Sequence, residues 1–316
     1  MTRGALSGKL VNNTDNSQQL RGELCHNEPL SDHTSWRVGG PAECLYFPAD
    51  KDDLINFLRS LPADEPLFWL GLGSNLLVRD GGIKGMVVCT KNRLKTMQRI
   101  SAGRVYVEVG VPCALVARYC AEQGLIGAEF LAGIPGTFGG ALAMNAGAFG
   151  GETWPLVDKV VTVDRFGETR ERTAHEYQIG YRTVNGSKGE WFLAAELTLA
   201  AGETTKSREQ IKALLAKRAA TQPVNQPSCG SVFRNPPGDF AARLIESCGL
   251  KGYRIGEACV SEKHANFIVN LGGANAHDIE CLMNKVREQV KACHGICLES
   301  EVRIVGEPLA NYLTGA

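Results

Sequence analysis

The chain has 316 residues, 44% of them apolar and 22% charged, with 34 acidic residues balancing 34 basic ones. Such a length and composition predict a globular protein of two or three domains. A formal net charge of zero excludes any global electrostatic case for nucleic acid or an anionic membrane, so an anionic ligand must be held locally.

The first thirty residues are polar and lack the apolar stretch of a secretory signal. No later run has the uninterrupted apolar length of a membrane span, which reads as a cytoplasmic protein. Residues 1–28 are expected to form a flexible tail, with order beginning near Ser31-Asp32-His33-Thr34. Cys44–Phe47 reads as a strand. A helix capped by Asp50 follows, with Leu54, Ile55, Leu58 and Leu61 on one face.

Phe68–Leu72, Gly85–Cys89 and Val105–Val109 read as strands. Leu115, Val116, Tyr119 and Cys120 make the next helical stripe, between Pro112 and Gly124. Leu156–Val163 and Trp191–Leu199 are strand-like, and Ser207–Ala220 is helical. The run Gln222–Pro227 is a linker. Beyond it, Phe240, Leu244, Ile245 and Cys248 form one helix face, and Ile279, Leu282, Met283, Val286 and Val290 another, capped by Asn275 with Asp278 behind it. Phe267–Val269 and Leu298–Val305 are the remaining strands.

Two glycine-rich segments sit beside predicted strands. They are Gly71-Leu72-Gly73-Ser74-Asn75 and Gly133-Ile134-Pro135-Gly136-Thr137-Phe138-Gly139-Gly140. Bared main chain of this kind can approach a phosphate and present N–H groups as an anion nest. Neither segment has the Rossmann or P-loop spacing. On glycine content alone, tight turns without a ligand explain them equally well.

Eleven cysteines, an odd number with no CxxC pair, fit reduced thiols rather than a disulfide framework or zinc cluster. Cys293, His294 and Cys297 lack a second ligand pair at zinc spacing, so no metal is expected. Ser231, in Gly230-Ser231-Val232-Phe233-Arg234-Asn235-Pro236, lacks the nucleophile elbow of a hydrolase and reads alone as a turn serine. Glu299, Glu301 and Arg303 alternate along a predicted strand, which by spacing is a solvated edge.

Taken together these strings carry a resemblance. Thr34-Ser35-Trp36-Arg37-Val38-Gly39-Gly40, GLGSNLL, GIPGTFGGA with MNAGA, Tyr181-Arg182-Thr183, GSVFRNP and LESEVR occur in the order seen in UDP-N-acetylenolpyruvoylglucosamine reductases. The chain resembles the shorter, type II members of that family. The resemblance implies an α+β fold: a two-lobed FAD-binding domain of the vanillyl-alcohol-oxidase (PCMH) type, then a smaller substrate-binding domain. The expected domains are 29–202, with lobes about 29–90 and 91–202, a helix and linker at 203–226, a substrate domain at 227–307 and a tail at 308–316.

The resemblance implies non-covalent FAD and NADPH as co-substrate. The reaction is reduction of UDP-N-acetylglucosamine enolpyruvate to UDP-N-acetylmuramate for peptidoglycan. Arg182, Ser231 and Glu301 fall at catalytic positions. Arg37, Gly39, Gly40, Gly71, Gly73, Ser74, Asn75, Gly133, Ile134, Pro135, Gly136, Gly139 and Gly140 fall at cofactor positions. Tyr181, Asn235, His264 and Arg303 fall near substrate. Cys229 stands where alanine is common in the family, and its closeness to Ser231 suggests thiol sensitivity. A monomer is expected. The alternatives are a related FAD oxidoreductase of a small alcohol or hydroxy acid, and a non-catalytic nucleotide-binding module.

Overall fold

The computed structural model describes residues 20–309. The chain forms two compact units. Among the described residues, one comprises 20–26, Cys44–Leu72 and Gly85–Ala216; the other comprises Asn27–Glu43, Gly73–Lys84 and 217–309. Segments 27–43 and 73–84, both far upstream of the expected linker, are thus counted with the carboxy-terminal residues.

In the first unit, helix α1 (Lys51–Ser60) begins where Asp50 accepts the Asp53 N–H, as its sequence predicts. Leu54, Phe57 and Leu58 are buried. Asp53 is buried too, and its carboxylate accepts from the Tyr46 hydroxyl at 2.7 Å, the Ala49 N–H at 2.9 Å and the Arg21 N–H at 2.7 Å. Order therefore begins earlier than expected. Glu23–Pro29 is a strand, not tail, because Arg21 is tied to a buried carboxylate. Residues 1–19 of the expected tail lie outside the described residues.

A four-stranded sheet has the spatial order Glu23–Pro29, Pro41–Phe47, Ile83–Cys89, Leu67–Leu70. Its last two strands run parallel, with Leu67 opposite Met86. A five-stranded antiparallel sheet follows the order Thr169–Thr173, Val157–Asp164, Glu190–Thr198, Arg104–Glu108, Met97–Ser101. Helix α2 (Cys113–Glu122) buries Cys113, Val116, Ala117, Cys120 and Ala121, a clean 3–4–7–8 stripe. Leu115, which the sequence placed on that stripe, falls outside it and is exposed. Helix α3 (Phe138–Met144) starts at Thr137, whose hydroxyl accepts the Gly140 N–H, and ends at Asn145 in the left-handed region. Helix α4 covers Thr204–Thr221.

In the second unit, helix α5 (Ala241–Ser247) and helix α6 (Ala276–His294) pack into a separate core. Helix α5 buries Ala241, Leu244 and Ile245, but Phe240 is its N-cap residue and points outward, 66% exposed. Helix α6 carries the expected capping box, Asn275 with Asp278, and buries Ile279, Leu282, Met283, Val286 and Val290. Upstream segments join this unit by specific bonds. The buried Trp36 indole donates to the Ile268 carbonyl at 2.7 Å, and Arg79 is paired with Glu280 through two bonds of 2.9 and 2.8 Å. The strand Leu76–Val78 pairs in parallel with Arg303–Val305. Only these last three residues of the expected strand Leu298–Val305 are regular.

Candidate active site

In the first unit, Gly71 ends the strand Leu67–Leu70 and meets the start of α3. A cavity of about 200 Å3 is lined there by Trp69, Gly71, Thr137, Gly139, Gly140 and Trp191, among others. The two glycine-rich strings contribute differently from the reading of glycine as ligand contact. At Gly139 a Cβ would stand 2.8 Å from the Val109 Cβ, so this glycine lets α3 sit tightly on its neighbouring chain. At Gly140 a Cβ would meet only the Thr137 Oγ1, at 3.8 Å, an ordinary contact, and this glycine lines the cavity. Gly133 lies under the Phe149 ring. Gly133 is buried, Ile134 and Gly136 are half-buried and Pro135 is exposed.

Two features of this cavity fit a flavin dinucleotide. Trp69 and Trp191 stack at 5.2 Å between centroids, forming an aromatic wall. The buried Trp69 indole N–H has no partner within the protein, and buried donors are normally satisfied. Sequence reasoning missed Trp69, Trp191 and Thr137. A cap residue before Phe138-Gly139-Gly140 was the available signal for Thr137. A tryptophan in a buried strand was the signal for Trp69.

Arg182 has a positive φ of 55°, an uncommon backbone state for a residue with a side chain. Its guanidinium donates to the Gly147 carbonyl at 3.2 Å and lies over the exposed Tyr181 ring at 5.1 Å. The buried Asn145 organises this corner. Its amide bonds the Glu152 carboxylate at 2.9 Å and the Gly180 carbonyl at 3.3 Å, and its carbonyl accepts the Trp154 N–H at 3.1 Å.

The second unit gathers the other strings. Gly73, at φ 65°, sits 2.4 Å from the His33 carbonyl by its absent Cβ, so only glycine fits there. Ser35 N–H donates to the Gly73 carbonyl and Gly40 N–H to the Arg79 carbonyl, which joins TSWRVGG to GSNLL. Gly39 packs on Val78. Arg37 is exposed at φ 57°, and Ser74 is half-buried. The Ser35 hydroxyl is a further buried donor without a partner.

The string around Ser231 runs antiparallel to the one around Glu301. Phe233 bridges Ser300, the Glu301 N–H donates to the Val232 carbonyl at 2.8 Å, and the Arg234 N–H to the Glu299 carbonyl at 2.9 Å. Val232 is thus opposite Glu301, and Ser231 stands one step from it. The substrate-side residues are scattered by comparison. Asn235 accepts the Ala241 N–H at 3.1 Å and so supports the start of α5. Arg303 is exposed at the head of its strand. The His264 ring packs edge-on to Phe267, its Nδ1 is buried without a partner, and burial holds its pKa below the ordinary histidine value.

Cys229 departs from its expected thiol sensitivity. It is 3% exposed, and burial, followed by the charge of Glu301, pushes its thiol well above the usual range. A thiol held neutral is a poor nucleophile. Mass spectrometry after brief alkylation of the native protein should find exposed Cys293 and Cys297 modified and Cys229 intact. Modification of Cys229 at the same rate would contradict this.

A cavity bared by glycine and walled by indoles fits the flavin of a flavin-dependent oxidoreductase. Residues 42–171 match a family model described as an FAD binding domain, and residues 222–305 match one described as the C-terminal domain of UDP-N-acetylenolpyruvoylglucosamine reductase. The chain is 66% identical over 290 residues to the UDP-N-acetylenolpyruvoylglucosamine reductase of Methylococcus capsulatus, covering 92% of this chain and 95% of that protein. It is 59% identical over 286 residues to that of Alkalilimnicola ehrlichii, covering 90% and 96%. The crystal structure of the Thermus caldophilus reductase superposes with a TM-score of 0.76 at 33% identity, covering 90% of this chain and 98% of that one. The chain belongs to the UDP-N-acetylenolpyruvoylglucosamine reductase family and is an FAD-dependent reductase with the expected α+β fold.

Proposed function

We propose that this chain reduces the enolpyruvyl ether of UDP-N-acetylglucosamine to UDP-N-acetylmuramate with electrons from NADPH, using Arg182, Ser231 and Glu301. The observation that carries the reading is the antiparallel exchange between 232–234 and 299–301, which sets a hydroxyl and a carboxyl on facing segments. Residues 29–202 are read as the FAD-binding portion of the chain and 227–307 as the substrate-binding portion. Trp69, Gly71, Thr137, Gly140 and Trp191 would hold FAD. FAD held there would supply hydride chemistry between NADPH and the enolpyruvyl sugar.

Each residue type suits its part. Hydride arrival at the vinyl terminus puts negative charge on the neighbouring carbon and its carboxylate. Arg182 stays protonated and can grip that carboxylate through a planar fork. Glu301 stabilises the developing enol by hydrogen bonding. Ser231 gives its hydroxyl proton to the carbon next to the carboxylate and is reprotonated from solvent. A hydroxyl is a weak acid, so this transfer needs close positioning. Among the described residues no helix is long and apolar enough to cross a membrane. The described cysteines are free thiols, as a reducing cytoplasm would keep them, and the enzyme works there as a monomer.

The test is direct. Purified protein should be yellow, and it should oxidise NADPH only when the UDP-enolpyruvyl sugar is added, with UDP-N-acetylmuramate formed mole for mole. NADPH oxidation supported equally by small alcohols or hydroxy acids in their oxidised forms, with no turnover of the sugar, would overturn the assignment.

A further inference from the structure

The sequence places Asn75 among the donors to the cofactor. Its side chain is engaged elsewhere. The Asn75 carboxamide Nδ2 donates to the main-chain carbonyl of Glu301 at 3.0 Å, across 226 residues of sequence. The main-chain carbonyl of Asn75 accepts the Arg303 N–H at 3.1 Å. One residue thereby brackets Val302, which is itself buried.

The surrounding pairing explains why a side chain is needed there. Regular parallel pairing begins only at Arg303 opposite Leu76. Just before that point the chain leaves the ladder, and the Glu301 N–H turns to the Val232 carbonyl instead. A carbonyl at such a departure has no strand partner on the Leu76 side. The Asn75 amide stands in for the missing ladder bond. The main chain of Glu301 is consequently held on both sides of its Cα, by Val232 through the N–H and by Asn75 through the carbonyl.

We propose that Asn75 is a positioning residue for the reductive step: its carboxamide fixes the main chain at Glu301 and thereby aims that carboxyl relative to the Ser231 segment. The proposal rests on the reading of Glu301 given above. It differs from the expectation that Asn75 serves the cofactor, and the two separate by measurement.

Four variants are compared: Asn75→Ala, the near-isosteric Asn75→Asp, Glu301→Gln, and Asn75→Ala combined with Glu301→Gln. Three quantities are read: FAD affinity by titration of the apoprotein, the rate of flavin reduction by NADPH, and the rate and pH profile of flavin reoxidation by the UDP-enolpyruvyl sugar. A misdirected group costs about 10²-fold, so Asn75→Ala should slow reoxidation by about that factor and alter its pH profile. FAD affinity and flavin reduction should be unchanged. Asn75→Asp should behave like Asn75→Ala, because it keeps the shape but offers no N–H. In the Glu301→Gln background, Asn75→Ala should add no further loss, as expected of residues acting through one another.

Weakened FAD binding with normal reoxidation of the loaded enzyme would overturn the proposal and return Asn75 to the cofactor. Additive losses in the double variant, on top of a slow Glu301→Gln, would overturn it alone. A normal reoxidation rate in Glu301→Gln would overturn both the reading of Glu301 and this proposal.

Discussion

Ser231→Ala is expected to slow reoxidation of the reduced flavin by the enolpyruvyl sugar about 10²- to 10⁴-fold, the usual worth of a positioned proton donor. Reduction of the flavin by NADPH should be unchanged, since no proton from Ser231 is needed in that half. Stopped-flow absorbance resolves the two halves. The loss should appear in the maximal rate of the second half rather than in sugar affinity, because a hydroxyl acting on a developing carbanion matters in the transition state. Ser231→Cys should recover little, for the longer, softer side chain moves the proton. If the alanine variant fails in flavin reduction yet reduces the enol ether normally, Ser231 has another role.

A second large effect belongs to stability. Asp53 is buried under three donors: the Tyr46 hydroxyl, the Ala49 N–H and the Arg21 N–H. Bonds to an ionised acceptor are each worth about 1.5–3 kcal/mol, and a stranded donor adds its desolvation cost. Asp53→Ala should therefore destabilise the first unit by about 4 kcal/mol. Burial, and then the bond to Asp53, push the Tyr46 phenol well above its ordinary pKa, so it remains a donor throughout the working range. In a Tyr46→Phe background one stranded donor is already gone, and the cost of Asp53→Ala should shrink measurably in thermal or denaturant melts. Equal costs in both backgrounds would show that the phenol contributes nothing to the network.

Much of the fold was legible because its signals are local. Helix α6 announces itself through Asn275, Asp278 and a stripe from Ile279 to Val290. Helix α1 does so through Asp50. Strand Glu23–Pro29 was not legible, since its polar, largely exposed residues lack an alternating apolar face; its anchor is Asp53, some thirty residues away. Leu298–Val305 was overextended for a related reason. One segment changes partners, from the Val232 chain to the Leu76 strand, and no periodicity records such a change.

The candidate site divides in the same way. Ser231, Glu301 and Arg182 came from motif resemblance, not from spacing, and spacing alone read Ser231 as a turn and Glu301 as a solvated edge. The glycine strings pointed to a cofactor, and Gly73 and Gly139 in addition allow close packing within the chain, against His33 and Val109, which glycine content alone does not specify. Trp69 stands in a strand legible from sequence, but nothing in sequence says that its indole will meet that of Trp191.

The parallel partner of Leu76–Val78 is Arg303–Val305, and Asn75 waits for Glu301 across 226 residues. During synthesis from the amino end, the loop that follows Gly73 is translated early, yet its edge is covered only when nearly everything else has been made. A nascent chain can mature its first unit while the ribosome is still working. The second must remain open until the closing strand emerges. A chain cut short upstream of Glu301 would therefore leave the Leu76 edge bare and inclined to pair with whatever strand it meets, so premature termination should produce aggregation-prone protein rather than a slow enzyme.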